Sequence, residues 1–197
     1  MRSQNIQKDL NEIGDELIEK FILNDNKASQ YVNSFFSEKN ILNHSKKKID
    51  QFTDYQRKVL IEELTIQYSK VKTSKQTLNN IKLLSNPKTL SVTTGHQLNI
   101  FSGPLMIIYK IAQVISITKH LNINIKGFNY VPIFWIASED HDFEEISEVN
   151  LKENKIKWNL DSKNMPVGEI ELNNFMEVVS EYKNSIVDFE FKDKLEI

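Results

Sequence analysis

The chain has 197 residues, room for one domain or one and a fraction at roughly 100–200 residues per domain, and is 40% apolar and 26% charged, enough to bury a core. Twenty-five basic against 27 acidic residues leave a net charge of −2, which provides no basic footprint for nucleic acid and no polybasic signal for a membrane surface. Cysteine is absent, which excludes a disulfide scaffold, a cysteine zinc site and a cysteine nucleophile within the chain.

The opening MRSQNIQKDLNEI has no continuous apolar stretch and does not read as a secretory signal. Before residue 86 the only glycine is Gly14 and there is no proline, so this lysine-, glutamate- and leucine-rich stretch reads as helical. The spacing agrees: Leu10, Ile13, Leu17 and Phe21 step by three and four, as do Tyr55, Val59, Leu60, Leu64, Tyr68 and Val71. Lys46-Lys47-Lys48 between them reads as a solvated loop. Ser74 opens a further helix through Leu78, Ile81 and Leu84, and Asn86-Pro87 closes it.

From residue 88 the texture changes. Thr89 to Thr94 is a short β-branched run, and Gly95 begins a loop that reaches Gly103. Pro104 stands where a helix accepts proline, and residues 104–121 are apolar on almost every side, the pattern of a buried helix. Broken by Lys110, Gln113, Ser116 and Lys119, this stretch falls short of the roughly 18 apolar residues of a membrane span. A cytoplasmic protein is expected. Tyr130 to Ala137 reads as a strand covered on both faces, with Phe134 and Trp135 in the core. Strand, helix and strand form a βαβ unit with parallel strands and a right-handed crossover. Residues 149–151 and 156–158 read as shorter strands, and 173–185 as a polar helix. The expected divisions are a helical region over 1–86, a Rossmann-like βαβ core over 87–150, and the start of an inserted region over 151–197.

In an open parallel sheet, ligands bind beyond the carboxyl ends of the strands. The first strand delivers His96 and Gln97 to that edge; the second delivers Ser138, Glu139, Asp140, His141 and Asp142. The helix after Gly103 would point its free N–H groups there. Two imidazoles, three carboxylates and a helix terminus in one place suit acid–base chemistry. Asp142 also suits a cap on Phe143-Glu144-Glu145, and no metal is expected at Asp140-His141-Asp142, because adjacent side chains diverge.

The strings NPKTLSVTTGHQLNIFSGPLMIIYKIAQVI and VPIFWIASEDHDFEEI resemble the bacillithiol biosynthesis family, whose enzyme adds cysteine to glucosaminyl malate. VTTGHQ, F-x-G-P, I-Y-K and FWIASEDHDFEEI fall in the family's order and spacing, and Gln67-Tyr68 and Val167-Gly168 extend the likeness. The resemblance implies a class I aminoacyl-tRNA synthetase-like core with a Rossmann-like parallel sheet, incomplete here. Family members are more than twice this length, so the chain resembles their N-terminal portion, without the coiled coil that would dimerise them.

What the resemblance implies is amide-bond formation between the cysteine carboxylate and the sugar amine. An amine attacks only as the free base, so His96 or His141 is the expected proton acceptor, with Asp140 orienting the imidazole or holding the amine. Gly95, Gln97, Asn99, Ser102, Gly103 and Glu139 are the expected substrate contacts. Residues 95–97 stand where synthetases carry a two-histidine nucleotide signature, of which one histidine is present, so ATP is not assured as the activating co-substrate. The alternatives are a nucleotide-binding or nucleotidyl-transfer protein with the same core, or an inactive fragment. Partners are small molecules, cysteine and glucosaminyl malate, with no nucleic acid and no membrane.

Overall fold

The computed structural model describes residues 16–151, 154–160 and 165–186; Leu10 and Ile13 of the first expected helix lie outside them. The chain forms two compact units. One comprises the residues up to Leu90 together with Leu121–Asn129, and the other Ser91–His120 with the residues from Tyr130 onward.

The first unit is helical. Helices α1 (Glu16–Ile22), α2 (Glu38–Ile49), α3 (Asp54–Ser69) and α4 (Lys75–Leu83) follow one another. Hydroxyl side chains start three of them: Ser37, Thr53 and Ser74 accept from the backbone N–H groups of Asn40, Gln56 and Thr77. Thr53 and Gln56 complete a reciprocal capping box. Each such cap contributes about 1 kcal/mol by satisfying N–H groups that have no partner within the helix. Lys46, Lys47 and Lys48 are solvated but helical, not a loop: they occupy the last turn of α2. Cations there face the negative end of the helix dipole, which the composition of the tripeptide does not reveal.

Arg57 organises the end of this unit. Its side chain is buried, and its guanidinium donates to the carbonyl oxygens of Leu84 (3.1 Å), Thr89 (3.1 Å) and Pro87 (2.9 Å). One planar cation thereby satisfies three carbonyls as the chain leaves α4, and its face rests over the Phe52 ring at 5.2 Å.

The strand pair β1 (Thr89–Gln97) and β2 (Asn129–Ala137), which run parallel and are joined by α5 (Leu105–Asn124), belongs for most of its length to the second unit. The strand–helix–strand order and the parallel pairing are as expected, but β1 continues through Gly95-His96-Gln97 where a loop was expected. Gly95 permits this: a Cβ there would lie 2.8 Å from the Trp135 carbonyl oxygen. A short helix α6 (Phe143–Ile146) leads into the hairpin β3 (Glu148–Leu151) and β4 (Asn154–Lys157). The hairpin is antiparallel, with Glu148 opposite Lys157 and Val149 opposite Ile156. Helix α7 (Phe175–Ser185) follows, two residues later than the pattern predicts. Ile100, Phe143, Ile146, Ile156, Trp158, Val167 and Val178 form the buried cluster.

Two burial expectations fail. Helix α5 buries Ile107, Val114, Thr118 and Leu121 on one side, yet leaves Leu105, Ile108, Tyr109 and Ile115 exposed. In β2 the buried residues are Tyr130 and Val131, Phe134 is half-buried, and Trp135 is 59% exposed. Among the described residues the parallel sheet has two strands. A pair of strands lacks the flanking strands and second layer that cover both faces of a central strand.

Candidate functional site

A cleft of about 390 Å³ lies in the second unit. His96 and Asn99 reach it from the end of β1 and the following loop; Gly103, Pro104, Leu105 and Met106 bring the start of α5. Its other side is Glu145 from α6 and Glu148, Val149 and Asn150 from β3.

The loop from β1 to α5 is tightly wound. Phe101 (φ 49°), Ser102 (φ 70°) and Gly103 (φ 62°) all have positive φ. Phe101 keeps this unfavourable conformation while stacked on Tyr182, with ring centroids 3.9 Å apart and an interplanar angle of 9°. Gly103 is required: its φ/ψ of 62°/−157° is a region that side-chain-bearing residues avoid, and a Cβ would meet Asn99 Cβ at 2.6 Å and Ile107 Cδ1 at 2.8 Å. Strain of about 1–3 kcal/mol per such residue persists only where packing over-determines the backbone.

His96 is half-buried. Its Nδ1 stands 3.4 Å from the Gln97 carbonyl oxygen and 3.3 Å from Asn99 Nδ2. Nδ1 accepts from the Asn99 amide in one tautomer and donates to the Gln97 carbonyl in the other. Lys110, from the second turn of α5, donates to the Gly95 carbonyl oxygen at 3.2 Å.

Asp140 is held by three donors. Oδ1 accepts from the backbone N–H groups of His141 (2.7 Å) and Asp142 (3.1 Å), and Oδ2 accepts from Gln97 Nε2 (3.0 Å). The Asp142 N–H, the Gln97 amide, the His141 N–H and the nearby His141 ring together hold its carboxyl below the usual carboxylate range, outweighing partial desolvation. The same Gln97 Nε2 donates to Glu145 Oε2 at 2.8 Å. Asp142 caps α6, its Oδ1 accepting from the Glu145 N–H at 3.1 Å. The segment at Val167-Gly168 braces this turn from outside: Val167 N–H donates to the Asp140 carbonyl at 2.7 Å and Gly168 N–H to that of Ser138 at 2.8 Å.

Of the residues singled out from sequence, His96, Asn99 and Gly103 line the cleft together. Gln97 and Asp140 join it through Glu145. His141 and Ser102 are exposed and outside the lining, and Glu139 accepts from the Trp135 indole at 3.3 Å. Gly95 contributes its carbonyl to Lys110. Glu145, Glu148 and Asn150 escaped sequence reasoning; the one available signal was that FEEI directly follows the SEDHD turn. Glu148 is paired with Lys155 across the hairpin at 2.6 Å. Among the described residues no three His, Asp or Glu side chains converge as a metal site.

The family model for the bacillithiol biosynthesis BshC N-terminal Rossmann-like domain matches residues 1–196. The chain belongs to the BshC family. Three similar relatives each carry the name "Putative cysteine ligase BshC". That of Flavobacterium johnsoniae is 38% identical over 167 residues, covering 85% of this chain and 31% of the relative. Those of Flavobacterium psychrophilum and Christiangramia forsetii are 48% and 52% identical, over 61% and 52% of this chain and 22% and 19% of theirs. The chain thus spans about a third or less of the length of these BshC relatives. Among the described residues no helix is long and apolar enough to cross a membrane.

Proposed function

We propose that this chain carries the amine-activating part of an amide-forming ligase, the part that deprotonates the amine of glucosaminyl malate for attack on an acyl-activated form of cysteine, whose activating group departs with the broken C–O bond. The observation that supports this reading is the meeting of both strand-end motifs at one cleft. His96 comes from the T-G-H-Q segment, and Glu145, tied through Gln97 to Asp140, comes from the S-E-D-H-D-F-E-E segment.

An ammonium group must lose a proton before its nitrogen can form a C–N bond. The His96 imidazole is the proton acceptor in the cleft, and the lining carboxylates favour a cation before the proton leaves. Asp140 acts as a fixed charge: with three donors on its oxygens, it is a poor proton acceptor. His141, exposed beside it, shares the turn without lining the cleft. The lining has no lysine or arginine, and of its two carboxylates Glu148 is paired with Lys155 and Glu145 with the Gln97 amide.

The test is a graft. This chain replaces the matching segment of the Flavobacterium johnsoniae relative, in a strain lacking that relative, and bacillithiol is assayed. The graft should support thiol formation, and His96→Ala should lower it by roughly 10²–10⁴-fold, the usual contribution of a general base. A folded graft that makes no thiol, or a His96→Ala graft that makes as much as its parent, refutes the reading.

A further inference from the structure

We propose that Gln97 is a positioning residue, one carboxamide that clasps Asp140 and Glu145 together and so presents Glu145 to the cleft. The inference rests on the functional reading above only for its consequence; the clasp itself is geometric.

Gln97 Nε2 lies 3.0 Å from Asp140 Oδ2 and 2.8 Å from Glu145 Oε2, partners 43 and 48 residues further along the chain. A carboxamide nitrogen has two hydrogens, one for each acceptor. Both acceptors are carboxylates, which donate nothing when ionised, so the amide is oriented with its nitrogen towards them. The arrangement brings two like charges to a single nitrogen. Without a donor between them they would repel, and Glu145, exposed on a four-residue helix, is the one free to swing away.

Three features fix the clasp. Gln97 is the last residue of β1, so its backbone is set by the sheet. Asp140 is pinned on its other oxygen by two backbone N–H groups, at 2.7 and 3.1 Å. Glu145 is anchored through its own N–H on Asp142. The Gln97 carbonyl oxygen faces the His96 ring at 3.4 Å while its side chain holds the carboxylates, so one residue links the imidazole to both acids. Both amide hydrogens of Gln97 are thereby committed to the protein, and Glu145 is the carboxylate it delivers to the cleft wall.

The test compares the chain with its Gln97→Met and Glu145→Gln variants by NMR titration of the Asp140 carboxyl carbon. Gln97→Met keeps side-chain length and removes both donors. The Asp140 titration should then move up, towards the ordinary carboxylate range of about 3.9, because a donor to the charged form has gone. Glu145→Gln, an exposed substitution that tests the other arm, should shift the Gln97 side-chain amide resonances. In the graft, Gln97→Met should lower kcat at least tenfold while KM stays within about twofold, as for an interaction realised only in the transition state. An unchanged Asp140 titration in folded Gln97→Met, or Gln97 amide resonances indifferent to Glu145→Gln, overturns the clasp. These carboxylate readings need no turnover, so an inactive graft would count against the ligase reading and leave the clasp standing.

Discussion

Replacing Gly103 by alanine tests whether the tight loop between β1 and α5 shapes the cleft. The added Cβ would sit 2.6 Å from Asn99 Cβ, 2.9 Å from Asn99 Cγ and 2.8 Å from Ile107 Cδ1. Relief through the backbone is closed, because φ 62°, ψ −157° is disfavoured for alanine by about 1–3 kcal/mol. Relief through the neighbours moves Ile107, a buried residue of α5, at a typical overpacking cost of about 1–3 kcal/mol. Together these effects predict a loss of about 2–6 kcal/mol, less whatever Asn99 recovers by turning away. Both tryptophans, Trp135 and Trp158, belong to the second unit, so a urea melt followed by tryptophan fluorescence reports the affected part. Any shift of Asn99 also reaches His96, whose Nδ1 is 3.3 Å away, and the His96 ring resonances should move in the folded variant. A Gly103→Ala chain within 0.5 kcal/mol of wild type, with unmoved His96 resonances, would refute the steric argument.

Two further outcomes are expected. Arg57→Met, followed by far-UV circular dichroism, should destabilise the helical unit by about 2–4 kcal/mol: three carbonyls lose their donor, at roughly 1–3 kcal/mol for each buried one, offset by relief of a buried cation; a change below 0.5 kcal/mol would show that water replaces the guanidinium. The exposed row Leu105, Ile108, Tyr109 and Ile115 should drive self-association of the chain, so Ile108→Gln with Ile115→Gln should lower the weight-average mass in sedimentation without lowering Tm; unchanged sedimentation would remove that face from the explanation.

Much of the architecture is local and could be read from residues near one another. Ser74 starts α4 because a hydroxyl satisfies a free N–H three residues on, and Asp142 starts α6 in the same way. The βαβ order follows from two β-branched or aromatic runs around one long apolar helix. His96, Asn99 and Gly103 could be placed at the strand edge because parallel topology directs both strand ends there.

Other features depended on residues far apart in the chain. The apolar pattern of α5 and β2 identifies surfaces suited to burial but does not say how many layers cover them, and here Tyr109 and Trp135 are exposed. Nor does it tell Lys46-Lys47-Lys48 in a helix's last turn from the same lysines in a loop, since both solvate the charge. The pairing of Gln97 with Asp140 and Glu145 bridges 43 and 48 residues, and hydrogen-bond partners at that separation leave no periodicity to detect. Arg57 reaches carbonyls 27 to 32 residues away for the same reason. Residue type and spacing determined the elements and nominated His96 for the site. Only folding decided that Glu145 and Glu148 form the opposite wall, because a cleft is set by which surfaces meet, and that requires the path of the whole chain.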